Sequence, residues 1–213
     1  MPNSSIERAS PGKPGDAIIL NVRPHNMTRA AHLIPEIDRL ASEVALVYKE
    51  LVLPLWLSPH HGLPDTLFGY VMGAFSRIDL ISAYWRGTFA TQTERMVSFM
   101  KTYMDPDRLA NSLAVQIWRH KLMHTSSPRE LRDEQRGVTY RWLLHWGDDH
   151  LSREQHFMFQ PGGLVLNMSL IGLIDDVRTA TQRYLVELKG NSVLEQNYDA
   201  VDLELGAYKY RSV

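Results

Sequence analysis

Residues 114–134 read AVQIWRHKLMHTSSPRELRDE. The apolar residues Leu109, Leu113, Val115, Ile117, Trp118 and Leu122 recur at helical spacing, then a basic run and Pro128 interrupt the pattern. Beyond it the period shortens to two, with Val138, Tyr140, Trp142 and Leu144 alternating. The stretch is the junction between a helical half and a short β segment. It sets the fold class as mainly α with a small β insertion before the last helix.

Toward the N-terminus the periodicity stays helical. Leu33, Ile37, Leu40, Ala41, Val44, Val47, Tyr48 and Leu51 recur at three and four, predicting a helix from about Thr28 that Pro54 ends; Pro35 is expected only to shift its start. Pro64-Asp65 opens a second helix through TLFGYVMGAFSRIDLISAYWRG (66–87), apolar on most sides, expected to be central, and stopped by Gly87. Its Gly69 and Gly73, four apart, are expected to permit close helix packing. A third helix covers TQTERMVSFMKTYM (91–104), with Met96, Phe99, Met100 and Tyr103 on one face, and Asp105-Pro106 begins the fourth.

Toward the C-terminus, GVTYRWLLHW (137–146) and HFMFQPGGLVLNMSL (156–170) have strand composition, with the PGG at 161–163 as a turn. An antiparallel meander at about 138–168 is expected. Leu170, Leu173, Ile174, Val177, Ala180, Tyr184 and Leu188 restore the helical period until Gly190-Asn191. Residues 1–16, rich in Ser, Pro and Gly, are expected as a flexible tail, AIILNV (17–22) as a short strand candidate, and 191–213 as a C-terminal tail. One domain, 17–190, remains.

Composition narrows the function. An apolar fraction of 44%, a charged fraction of 22% and a mean hydropathy of -0.25 are those of a globular chain. A net charge of -1 and pI near 6.8 argue against coating nucleic acid or anionic membrane through bulk charge, so any such contact is local. No cysteine is present, which excludes disulfides, thiol catalysis and cysteine-ligated metals. With no apolar run of signal or membrane-spanning length, a cytoplasmic location without membrane contact is expected. No nucleotide-binding glycine loop occurs.

The basic run holds Arg119, His120, Lys121 and His124. An arginine followed five residues later by a histidine is close to chance expectation at this composition, but this pair ends a helix of core character. RHKLMH (119–124) resembles the R-[polar]-x-x-x-H signature of the HEPN superfamily, all-α proteins that are often metal-independent endoribonucleases of toxin-antitoxin or defence systems. SRIDLISAYWRG (76–87), with an acid inside an apolar second helix and a glycine stop, is similar to the corresponding HEPN helix. The similarity in architecture spans roughly residues 30–190; the strand insertion departs from the minimal bundle.

The resemblance implies an up-and-down helical bundle and a catalytic set of Arg119, His124, His120 and Asp79, with no metal and no cofactor. Arg119 and His124 lie about 140° apart on an α-helix, so the resemblance implies a homodimer or higher homo-oligomer that pools both copies in one cleft. Arg119 would hold the phosphate, His124 would move the proton, His120 would orient the phosphate, and Asp79 would orient Arg119 or a histidine. The implied partners are a second copy of the chain, RNA and a cognate antitoxin protein.

Other readings of the same residues stand beside this one. A basic helix end complements the helix dipole, Asp79 suits a structural ion pair with Arg119, and a non-catalytic module could hold an anion or a partner there. His120 and His124, at i and i+4, suit one metal ion with Asp79, His60 or His61, although Lys121 stands where a helix-borne protease needs glutamate. His60-His61 reads as an exposed turn, and Trp56, Trp85, Trp118, Trp142 and Trp146 as core or interface residues.

Overall fold

A computed structural model describes residues 19–21, 28–52, 54, 68–104, 108–121, 130–145 and 155–209. In chain order they form β1 (Ile19–Asn21), α1 (Thr28–Val47, continued by a π turn Tyr48–Val52), α2 (Phe68–Arg86), α3 (Gln92–Tyr103), α4 (Arg108–Ala114, continued by π winding Val115–Lys121), β2 (Leu131–Asp133), β3 (Val138–His145), β4 (Val165–Ser169), α5 (Leu170–Leu188), α6 (Ser192–Gly206) and β5 (Ala207–Lys209). Helix accounts for 70% of the described residues, beside a small three-stranded sheet. The expected tail at 1–16 lies outside the described residues.

The apolar stripes become the core. Leu33, Ile37, Leu40 and Val44 of α1 are buried, and Pro35 is accommodated within the helix at an exposed position. α2 is central: Val71, Ala74, Phe75, Ile78, Ile81, Ala83 and Tyr84 are all buried, and the helix packs against α1, α3, α5 and α6. It ends at Gly87, whose φ of 80° lets its N–H return to the Ala83 carbonyl at 2.8 Å. A Cβ there would lie 2.6 Å from Asn197 Oδ1, and Asn197 Nδ2 donates to the Trp85 carbonyl at 2.8 Å.

Asn197 belongs to a helix where a tail was expected. α6 buries Leu194 and Val201 and stacks Tyr198 on Tyr84 with centroids 4.6 Å apart. The reason is spacing: Leu194, Tyr198 and Val201, at i, i+4 and i+7, form one narrow apolar stripe on an acidic helix whose Val193 and Leu203 stay exposed. Beyond it β5 pairs antiparallel with β1, Leu20 facing Tyr208, so AIILNV does contribute a strand.

The sheet differs from the expected meander. β2 and β3 form an antiparallel hairpin, whose turn is fixed by Asp133 Oδ1 accepting from Gln135 N at 3.1 Å and Arg136 N at 3.0 Å. β3 and β4, however, run parallel, Arg141 facing Val165 and His145 facing Ser169. The PGG turn does form, but it folds residues 157–160 antiparallel against the opposite edge of β4, through Phe157 N to Asn167 O at 3.0 Å and Asn167 N to Met158 O at 2.9 Å. That outward pass reverses the chain once more and aligns β4 with β3. Alternation along β3 predicts the faces correctly: Tyr140 is buried while Arg141 and Leu143 are exposed.

A histidine staple joins this hairpin to α5. His156 Nδ1 accepts from the N–H of Ser169, the residue that caps α5 by accepting from Gly172 N, and His156 Nε2 lies 3.1 Å from Asp176 Oδ2. With Nδ1 accepting, the neutral ring carries its proton on Nε2 and donates to Asp176. Gly172 makes room for it, since a Cβ would fall 2.9 Å from His156 Cγ. Gly172→Ala should cost about 1–3 kcal/mol of stability, and the loss should vanish in a His156→Ala background, where alanine is the better helix former. Urea titrations of the four proteins test the cycle; additive losses would reject the contact.

A tyrosine cluster knits α2, α3, α5 and α6. Tyr103 Oη donates to Glu187 at 2.6 Å, Arg183 Nη1 donates to the Tyr103 carbonyl at 3.0 Å, and the Tyr103 and Tyr184 rings meet edge-on at 6.4 Å. Burial raises both hydroxyls above the ordinary value of 10.0, reinforced at Tyr103 by Glu187 and at Tyr184 by the neighbouring tyrosines. The neutral forms are favoured only in the folded state, so this stability is complete below about pH 10 and declines as rising pH ionises the unfolded chain. The urea midpoint should fall from about pH 9 to about pH 11, with tyrosinate absorbance of these residues appearing only on unfolding.

Candidate functional site

The site is built where α2, α3 and the π end of α4 meet. Asp79 sits among Ile78, Leu80 and Ile81, where a carboxylate needs partners. It finds three: Arg95 Nη2 pairs with Oδ1, Gln92 Nε2 donates to Oδ2, and Arg119 Nη2 lies 3.5 Å from Oδ2. The expected pairing of Asp79 with Arg119 is therefore present, as the outer member of a larger cluster.

The inner member is Arg95, whose side chain is 1% exposed. All five of its N–H donors are used: Nε on Ser82 Oγ at 3.2 Å, Nη1 on the Phe89 and Ala90 carbonyls at 2.5 and 3.1 Å, Nη2 on the Asp79 carbonyl at 3.3 Å and on Oδ1. Ser82 Oγ itself donates to the Asp79 carbonyl at 2.8 Å, and the Arg95 guanidinium lies 5.7 Å over the Phe89 ring. Burial lowers the Arg95 pKa, against the opposing pull of Asp79. The arginine thereby holds the 87–91 loop, where Thr91 adopts a left-handed φ of 49°, to the middle of α2.

Arg119 is different. Its side chain is 17% exposed, its contact with Asp79 is long, and its buried Nε has no hydrogen-bond partner among the described residues. Two guanidinium groups share this one carboxylate among the described residues, and Arg119 is the more loosely held of the two. Trp118, fully buried beside it, meets Trp142 of β3 at 4.4 Å and Phe68 of α2 at 6.2 Å, so the sheet braces the π winding. The arrangement suits an oxyanion taken by Arg119 from outside while Asp79 holds the guanidinium from within.

Of the sequence-predicted residues, Asp79 and Arg119 are brought together. The side chain of His120 lies outside the described residues, as do His124, His60 and His61, so the proton-transfer and metal readings are not placed. Among the described residues no group of three or more His, Asp or Glu could hold a metal ion. No described helix is long and apolar enough to cross a membrane. Sequence reasoning missed Arg95 and Gln92. The signal was a lone arginine beside Met96, Phe99 and Met100 on a core-facing stripe, matching a lone acid on the apolar face of α2. No family model, curated protein or solved structure matches the chain.

The two arginines should separate in a stability experiment. Arg95→Met leaves Asp79 with only Gln92 and the long Arg119 contact, frees the loop carbonyls, and is expected to cost about 3–5 kcal/mol, whereas Arg119→Met, losing one long and partly exposed contact, should cost about 1 kcal/mol or less. Urea unfolding reads both; equal losses would contradict the inner and outer roles.

Proposed function

We propose that the chain is a HEPN-like, metal-independent endoribonuclease with Arg119 as its phosphate ligand and His124 as its proton-transfer group. The observation that supports the reading is the Arg119 guanidinium, held by Asp79 at 3.5 Å, partly exposed, and sharing that one carboxylate with Arg95 among the described residues. The motif RHKLMH supplies the rest by resemblance. In the reaction the RNA 2'-oxygen attacks the adjacent phosphorus, the bond to the 5'-oxygen breaks, and a 2',3'-cyclic phosphate and a 5'-hydroxyl result. His124 takes the 2'-hydroxyl proton or supplies one to the leaving oxygen, Arg119 stabilises the charge on the phosphoryl oxygens, and His120 orients them. Asp79, occupied by Arg95 and Gln92, acts by orienting Arg119.

Arg119 and His124 act together in a two-fold dimer that pools both copies in one cleft. A toxin or defence role in the cytoplasm, opposed by an antitoxin protein, belongs to the same proposal, as does a HEPN-type bundle topology.

A second reading is favoured by the saturation of Asp79: among the described residues no side chain at Arg119 is free to move a proton, which suits a module that binds an anion without cleaving it. Incubating a labelled mixed-sequence RNA with the protein in chelator decides between them. Cleavage ending in cyclic phosphate should fall by about 100-fold or more in both His124→Ala and Arg119→Ala. Cleavage that survives His124→Ala, or RNA that is bound through Arg119 but never cut, would overturn the nuclease and leave the binding module.

A further inference from the structure

A second site lies between α1 and α2, on a different face of α2 from Asp79. Arg77 and Asp79 are two positions apart, about 200° around the helix, so Arg77 faces α1. There a cavity of about 320 Å³ is lined by Glu36, Arg39, Leu40 and Glu43 of α1 and by Gly69, Tyr70 and Arg77 of α2. Two glycines shape it in different ways. A Cβ on Gly73 would touch Leu40 at an ordinary 3.4 Å, so the helices meet there as expected, but one on Gly69 would meet nothing within 4 Å. Gly69 therefore opens space where close packing was expected.

The lining is bipolar. At one end stands Arg77, three-quarters buried, with an Nε that has no partner among the described residues and only long contacts for the rest: Glu36 Oε2 at 3.5 Å and the Gly73 carbonyl at 3.5 Å. At the other, opposite Gly69 and Tyr70, stands Glu43, whose 3.6 Å pair with Arg39 is exposed and readily exchanged. The Leu40 side chain forms the floor between them. Arg77 and Gly69 are eight residues apart, about 12 Å of helix. Formal charges cancel, which disfavours a simple anion or a simple cation.

We propose that this groove binds a small ω-amino acid, its carboxylate on the exposed part of the Arg77 guanidinium in place of the long Glu36 contact, its methylene chain over Leu40, and its ammonium between Glu43 and the Tyr70 ring. A planar guanidinium edge matches a carboxylate, an aromatic face and a carboxylate suit an ammonium, and the apolar floor suits the chain between.

The test is a ligand-observed NMR titration of the full chain with 6-aminohexanoate, with hexanoate and hexylamine as single-ended controls. A dissociation constant of about 1 mM or tighter is expected for 6-aminohexanoate, at least tenfold tighter than for either control. Gly69→Leu, which plugs open space and removes a helix glycine, should remain folded by circular dichroism and lose binding at least tenfold. Glu43→Gln, an exposed change, should weaken 6-aminohexanoate by about tenfold and leave hexanoate unaltered. No binding to the unaltered chain at about 10 mM, equal binding of a single-ended control, or full binding by folded Gly69→Leu would each overturn the proposal.

Discussion

The buried pair between Asp79 and Arg95 is the constraint on which the arrangement of α2, α3 and α4 depends. Taking two ions out of water costs several kcal/mol each, and the attraction between them offsets this only when the remaining donors and acceptors are also satisfied. Here they are: Arg95 spends every N–H on Ser82, two loop carbonyls and Asp79, and Gln92 covers the second carboxylate oxygen. The bonds reach from the middle of α2 to the 87–91 loop and the start of α3, so the turn between these helices is set by polar geometry as much as by apolar contact. Arg119 then docks against a carboxylate already fixed in place.

The β insertion acts on the same region from the other side. Its inward-facing Trp142 meets Trp118 at 4.4 Å and Phe68 at 6.1 Å, and Trp118 immediately precedes Arg119. The sheet is tied in turn to α5 by His156, Ser169 and Asp176. A side chain at position 119 is thus positioned by a carboxylate within the bundle and by an aromatic contact from the sheet. These two supports sit on either side of a π winding, a backbone form that persists only where its surroundings hold it.

The sequence made the helices legible because their signals are local. Thr28 starts α1, Gly87 stops α2 with a positive φ, and Gly190 follows α5 with another. The pairing of Asp79 with Arg119 was equally readable, as an acid on an apolar face matched to a basic helix end. Other features rest on non-local information. Alternation along β3 tells which residues face inward but not which way β4 runs, and the PGG turn organised residues 157–160 rather than β3. The narrow stripe of Leu194, Tyr198 and Val201 is diluted by its acidic neighbours, which hid α6. Arg95 reads as a solvated charge until its partner 16 residues back is placed beside it. Seven residues of π winding scarcely alter a hydrophobic period, so Val115–Lys121 passed as ordinary helix.

In the proposed reading, the charge balance around Asp79 bears on the kind of anion Arg119 would take. Arg95 is enclosed and fully bonded, whereas Arg119 is held only by a long contact to Asp79 and keeps part of its guanidinium edge exposed. A spherical halide can meet only one point of that edge and must shed water to reach it. A phosphoryl group presents two oxygens at the spacing of the fork, so each N–H it takes offsets part of the water it gives up. Asp79 sharpens the preference by holding the guanidinium from behind, leaving less side-chain freedom to lose on binding. On that proposal, selectivity for an oxyanion would follow from the inner ion pair, because the group that receives the anion would be oriented before the anion arrives.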